Sequence, residues 1–412
     1  MRSAEGRRAD RFPGPRVLTG CFIVLAVTSG LAFYGLAVYL NAFSREKGWP
    51  VASISLATTL FFVVSGVAGL AIARIIARRD VRIVIVAGGV LGAVALTLLG
   101  RVDSRWQLYV VYAVLAAGFA AAGLVPATTV VTRWYHRRRS VALSVASTGL
   151  SVGGIALTPV AKWLIDHQGL ETATPILGAV WLVGVVPLAL WLVRPDPTLL
   201  GWAPDGDRVM DRALVPAPSG VRFGDAVRSR FYLGLTAGYV LVLGAQVGAI
   251  QQLVKLVEDR TDADTAALAT IALAGMSVIA RLAGGRLVSR VPMAGFAAAV
   301  GLTQGVAIVA IGLSHHTVTL FAAIVLFGAT IGNALMLQPL LIAERFGVVD
   351  YPQIFSRSQF YTMFGVAGGP LLLGWLHDRS GSYRVPYLVA GVCSVVGAAV
   401  LVWGGPATVR TP

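Results

Sequence analysis

Apolar stretches about 20 residues long recur along the whole chain, and that is the length a helix needs to cross a hydrocarbon core roughly 30 Å thick. Twelve are readable, near 17–41, 51–76, 82–100, 106–131, 140–164, 173–193, 230–256, 264–288, 292–313, 317–343, 353–376 and 384–404; they are called spans 1 to 12. In lipid, backbone N–H and C=O groups find no water, so each run must close its hydrogen bonds within itself. Hydrophobic residues make up 56% of the chain and charged residues only 13%, which leaves too little charged surface for a soluble domain of this size. The expected fold class is therefore an all-α membrane protein with twelve transmembrane helices. The first run follows Arg2, Arg7, Arg8, Arg11 and Arg16. It is too long for a signal-peptide core and has no small-residue cleavage site, so it reads as a retained helix.

The formal net charge is +15. In a soluble chain that would point to nucleic acid; here the loops account for it. One set of alternate loops holds nine of the 34 basic residues: Arg45, Lys47, Arg101, Arg105, Lys162, Lys255, Arg260, Arg379 and Arg384. All the others except Arg281 fall in the opposite set or the tails. Lys and Arg favour the cytoplasmic side, so both termini are expected there, in a multi-pass protein of the cell membrane whose surroundings are lipid rather than nucleic acid.

The longest loop, 194–229, contains Pro195, Pro197, Pro204, Pro216 and Pro218, which is linker composition. It divides the chain into a tail (1–16), six spans (17–193), the linker (194–229), six further spans (230–404) and a second tail (405–412). The two halves repeat each other at one offset. Trp163-Leu164 at the end of span 5 matches Trp375-Leu376 at the end of span 11. Ala73-Arg74 after span 2 matches Gly285-Arg286 after span 8, and Arg133-Trp134 matches Arg345-Phe346, always 212 residues apart. Such repeats are a mark of transporter folds that hold solute between two bundles.

The same residues carry a family resemblance. Ala73-Arg74-Ile75-Ile76-Ala77-Arg78-Arg79-Asp80-Val81-Arg82 resembles the Gly-x-x-x-Asp-Arg-x-x-x-Arg loop of major facilitator superfamily transporters, with Ala73 in place of Gly and Ala77 in place of Asp. In the second half Gly285 is kept and Ser289 replaces the Asp. Within that superfamily the chain looks most like the monocarboxylate-transporter and oxalate/formate-antiporter branch. Gly48-Trp49 followed by Ile54-Ser55 resembles that branch's start to helix 2, and Arg133-Trp134-Tyr135-His136-Arg137-Arg138-Arg139-Ser140-Val141-Ala142 resembles its loop after helix 4. The resemblance implies the major facilitator fold, two pseudo-symmetric six-helix bundles, with a latch between the halves at Arg74, Arg78, Asp80, Arg82, Gly285, Arg286 and Arg290. It also places Arg281 where the branch binds substrate, and Gln252 near where some relatives carry a His.

Arg281 also stands out physically. An arginine near the middle of a span costs at least roughly 2.5–3.5 kcal/mol on insertion scales, and every Asp and Glu of the chain lies in a loop or at a span end. A cation without an acid partner invites an anion, and a planar guanidinium suits a carboxylate held by two bonds; the competing reading is that it bonds helix carbonyls or reaches the surface beside Arg286. Ser277 is one turn before Arg281 on the same face. The resemblance places an Asp there in proton-coupled relatives, and Ser277 does not titrate near neutral pH. The substrate set is completed by Gln252, Tyr112, Asn333, Tyr361 and Tyr34, with Gln246, Gln251, Tyr109, Gln338, Gln359 and Asn41 as further polar groups inside spans; for each, an interhelical hydrogen bond is the plainer role. Lys162 reads as a residue reaching to the interface. Gly149 and Gly153 of span 5, and Gly365, Gly369 and Pro370 of span 11, read as close-packing and bending points.

No phosphate-binding Gly-x-x-x-x-Gly-Lys loop occurs, no metal-ligand spacing is seen, and Cys21 and Cys393 give no disulfide framework. The chain is thus expected to be no enzyme, to need no cofactor or metal, and to act as a monomer. The reading is a secondary or facilitative carrier of a small monocarboxylate or dicarboxylate, with a coupling proton or counter-anion left open. An exporter of amphipathic drugs or metabolites is the alternative and a non-transporting sensor the remote one.

Overall fold

The computed structural model describes residues 12–206 and 219–407. Arg2, Arg7, Arg8, Arg11, Pro216, Pro218 and most of both tails lie outside the described residues. Among those described, ten helices are long and apolar enough to cross a membrane. One of them, Arg139–Trp191, comprises spans 5 and 6. The helix Tyr351–Ser380, span 11, stands beside these ten. Together they make twelve spans.

Several helices begin or end for a local reason. Asp80, Ser229 and Asp262 cap spans 3, 7 and 8 by accepting from the main-chain N–H of Arg82, Tyr232 and Thr265, which satisfies donors the first turn leaves open. Gln107 reaches back to the N–H groups of Asp103 and Ser104 at the start of span 4. Spans 5 and 6 part at Gly169, whose φ of 74° and ψ of 168° break an otherwise continuous helix. Its repeat partner Gly381 also has positive φ, 61°, after span 11. An L side chain is strained there, so glycine occupies both corners.

Two departures from the expected spans concern shape. The first span runs to Lys47, beyond residue 41, and contains a π turn at Ser29–Phe33. Partners supplied by packing make that turn tolerable: Thr158 donates to the Gly30 carbonyl and Tyr39 to that of Leu31. Span 4 is interrupted too, between Arg105–Ala121 and Leu124–Trp134.

Spans 1 to 6 pack mainly on one another, as do spans 7 to 12. The halves meet along two seams, span 2 with span 11 and span 5 with span 8. Glycines set how closely helices approach within each half. A side chain at Gly149 or Gly153 would collide with the carbonyls of Phe22 or Ala26 in span 1, and one at Gly365 or Gly369 with those of Val240 or Gly244 in span 7. Pro370 lies within span 11 beside that contact.

Candidate functional site

Arg281 is fully buried, at 0% exposure. It lies six residues before the end of span 8, Ala263–Leu287, at the seam with span 5. One guanidinium nitrogen, Nη1, donates to the Ser147 carbonyl of span 5. The other two, Nε and Nη2, are buried without a hydrogen-bond partner, and Arg281 takes part in no ion pair among the described residues. Nε–H and the neighbouring N–H of Nη2 lie along one edge of the planar group and point the same way, the fork that meets both oxygens of a carboxylate. A donor left buried and unpaired costs about 1–3 kcal/mol, more when charged.

The surroundings hold this edge in place. The Ser144 hydroxyl donates to the Arg281 carbonyl at 2.6 Å. A Cβ on Gly332 of span 10 would lie 2.8 Å from Arg281 Cβ and 3.0 Å from Nε, so span 10 packs directly on the stem of this side chain. Ser277 is 3% exposed and its hydroxyl has no partner. The Tyr34 ring, just after the π turn, is 39% exposed and close enough for the Arg281 charge to act on its phenol. Ser277 and Arg281 thus lie one turn apart on span 8, with Tyr34 of span 1, in the opposite half, within range of the Arg281 charge.

The other expected site residues lie in different settings. Asn333 donates to the Ala280 and Ala329 carbonyls and binds span 10 to span 8. Tyr112 is fully buried beside Tyr39, its hydroxyl unpaired. Gln252 faces Gly374 of span 11, and Tyr361 stacks edge-on against Phe360. Gln338 donates to Ser358 and Thr362, and Gln246 and Gln359 each leave a buried carbonyl oxygen unpaired.

Of the latch residues, Gly285 touches the other half: a Cβ there would strike Ser144. Asp80 bonds Arg82 of its own loop, at 2.7 and 2.9 Å. Burial works to raise its pKa, but the hydrogen bonds and charge of Arg82 outweigh that and hold the carboxyl below its usual range. Arg286 turns back to the Leu282 carbonyl. Arg74 and Arg78 line an open cleft of about 530 Å³ with Arg79, Ile75 and Gln353, and Arg290 is exposed. The closure at this basic face also uses residues the sequence reading did not single out. Arg139, 6% exposed, reaches across to the Ala343 carbonyl at 3.4 Å and to Glu344 at 3.8 Å. Asp205 of the linker accepts from the main-chain N–H groups of His136, Arg137 and Arg138. Ser140, Ser144, Ser147 and Ser151 are all buried on one face of span 5. Their four-three-four spacing was a readable helical stripe of small polar groups.

Comparison with known proteins agrees with this architecture. The sequence profile described as Major Facilitator Superfamily matches residues 21–347. "MFS transporter asaE" of Aspergillus flavus is 25% identical over 307 residues, covering 72% of this chain and 65% of its own length, just under two thirds. Monocarboxylate transporter 13 of Rattus norvegicus is 26% identical, over 78% of this chain and 72% of its own. Monocarboxylate transporter 11 of Homo sapiens is also 26% identical, over 90% and 78%. Among solved structures, FucP in the outward conformation superposes with a TM-score of 0.73 at 16% identity, over 96% of this chain and 99% of that one. The human organic anion transporter MFSD10 gives 0.70, also at 16% identity, over 95% and 100%. These similarities, the twelve helices and the 212-residue repeat agree: the chain belongs to the major facilitator superfamily, a family of multi-pass membrane transporters rather than enzymes, and resembles its monocarboxylate-transporter branch.

Proposed function

We propose that this transporter carries a small organic anion across the cell membrane by alternating access, with Arg281 as the carboxylate anchor. The observation that carries the reading is the unpaired Nε/Nη2 edge of a fully buried guanidinium that has no acid partner. One fork suits one carboxylate, so a monocarboxylate is the favoured cargo and a dicarboxylate the second choice. Ser277 and Tyr34 supply further hydrogen bonds beside it. The curated relatives named monocarboxylate transporters support the same class. The basic face is assigned to the cytoplasm, with both termini there, from the distribution of Lys and Arg.

The cycle follows from the seams. Cross-half hydrogen bonds and ion pairs among the described residues lie between Arg139 and Ser147 on span 5 and their partners on spans 8 and 10. The cytoplasmic face is therefore the closed one, and solute reaches Arg281 from the opposite side. Rocking the six-helix halves breaks those bonds and opens the route inward. With serine at position 277, the anchor has no titratable neighbour one turn away, so a coupling proton, if used, is held elsewhere; exchange against a second anion needs none.

The test is uptake into proteoliposomes of a panel of labelled solutes: lactate, pyruvate, acetate, formate and oxalate against an uncharged sugar and an amphipathic cation. Selective uptake of carboxylates, with mutual competition, is expected. Uptake of the amphipathic cation alone would replace the reading with that of an exporter.

A further inference from the structure

Two hydrogen bonds cross between the halves at Arg281, and they run in opposite directions. Ser144 of span 5 donates to the main-chain carbonyl of Arg281, and the Arg281 side chain donates to the main-chain carbonyl of Ser147. A helix carbonyl has two lone pairs, so the Ser144 bond adds to the helix's own ladder. The contact is close because position 285 has no side chain; a Cβ there would run into Ser144. On the other side Gly332 leaves room for the Arg281 stem and little more. Main chain and side chain of one residue are thus gripped together by the opposite half.

We propose that Ser144 is a positioning residue for Arg281, holding the carboxylate-binding edge in register while the basic face is closed and releasing it when that face opens. The proposal rests on Arg281 being the anchor. Separating spans 5 and 8 breaks both bonds at once, so the orientation of the guanidinium and the state of the gate are linked. Ser147 offers an internal control. Its contribution across the seam is its main-chain carbonyl, while its hydroxyl donates to the Ser144 carbonyl of its own helix.

The test uses Cys21→Ala, Cys393→Ala protein with spin labels at Ala77 and Ser289, exposed positions after spans 2 and 8 on the basic face. Pulsed electron resonance then reads the distance between them with no solute added. Ser144→Ala should raise the ratio of wide to narrow distances about fivefold, the worth of one ordinary hydrogen bond. Ser147→Ala should match the parent. In transport, Ser144→Ala should raise the KM for carboxylate while Vmax holds. An unchanged distance distribution in Ser144→Ala, or equal shifts in both variants, overturns the proposal. Because the distances are read without solute, a shift accompanied by no carboxylate uptake would sink only the substrate reading.

Discussion

The two seams between the halves are the same seam twice. Spans 2 and 8 are repeats, as are spans 5 and 11, so the meeting of span 2 with 11 mirrors that of span 8 with 5. At the 212-residue offset Ser277 falls on Ser65, Ser144 on Ser356, and Arg281 on Gly69. The serines are kept and the charge is not. Ser356 donates to the Gln353 carbonyl of its own helix, whereas Ser144 reaches across. Away from the basic cleft that Arg74, Arg78 and Gln353 line at its end, the 2–11 seam is apolar, with Phe62, Val63 and Gly66 facing Phe360, Met363 and Phe364. Apolar packing is non-directional and lets surfaces slide; hydrogen bonds to a buried cation are directional and fail all at once. One seam is therefore suited to be the bearing and the other the site.

The largest test of that asymmetry removes the charge. Arg281→Ala should lower carboxylate transport about 100-fold or more, as truncating a buried charged partner does. Arg281→Lys should retain a minor part, about a tenth, because a point charge replaces the fork. Full activity in either, measured as initial uptake, would make the two seams equivalent.

Glycine substitutions sharpen the contrast at lower cost. Gly285→Ala puts a methyl into Ser144 and should reduce transport about tenfold through overpacking; the repeat position on the other seam, Ala73, is already an alanine. Gly66→Ala meets side chains alone, Phe360 at 3.1 Å and Met363 at 3.7 Å, and Gly69→Ala meets nothing within 4 Å, so each should change uptake less than about twofold. The reverse order of effects would assign the gate to the apolar seam.

Proton dependence is a subtler probe. Ser277→Asp should make uptake rise as pH falls, since a carboxylate paired with Arg281 blocks the anchor until it is protonated; burial at this position raises the pH at which that happens, against the lowering effect of the Arg281 charge. A flat profile in a folded, active variant would contradict that. The smallest effect belongs to the loop that the latch motif resembles. The Asp80 carboxyl is held low by Arg82, so its contribution is present above the ordinary carboxylate pKa and is lost as pH falls through the lowered folded value. Asp80→Asn should cost no more than about 1 kcal/mol at pH 7 for a half-buried pair that solvent still reaches, read as a small drop in melting temperature that vanishes in acid.

Much of this was legible in the sequence. Apolar runs of membrane-spanning length cannot hide, and Arg281 was conspicuous because a charge in a span has few explanations. The repeat could be read from three matched pairs. Less visible was anything set by contact across the chain. The sequence reading set an anion anchor against a residue that bonds helix carbonyls or reaches the surface beside Arg286. The guanidinium has enough donors for both, with Nη1 on Ser147 and the other edge unpaired. Arg139 looked like one more basic loop residue until its partner, 205 positions away at Glu344, was in place. The π turn in span 1 had no composition cue at all, because its carbonyls are satisfied by residues of span 5 and by Tyr39.

The most direct test of Arg281 as anchor is carboxylate binding to purified protein, wild type beside Arg281→Ala, followed by tryptophan fluorescence with the fold of both checked by thermal melting. Saturable binding of a monocarboxylate that disappears in the variant, while melting is retained, is the predicted result. Equal binding in the two proteins would contradict the account and leave Arg281 as a structural tie between spans 5 and 8.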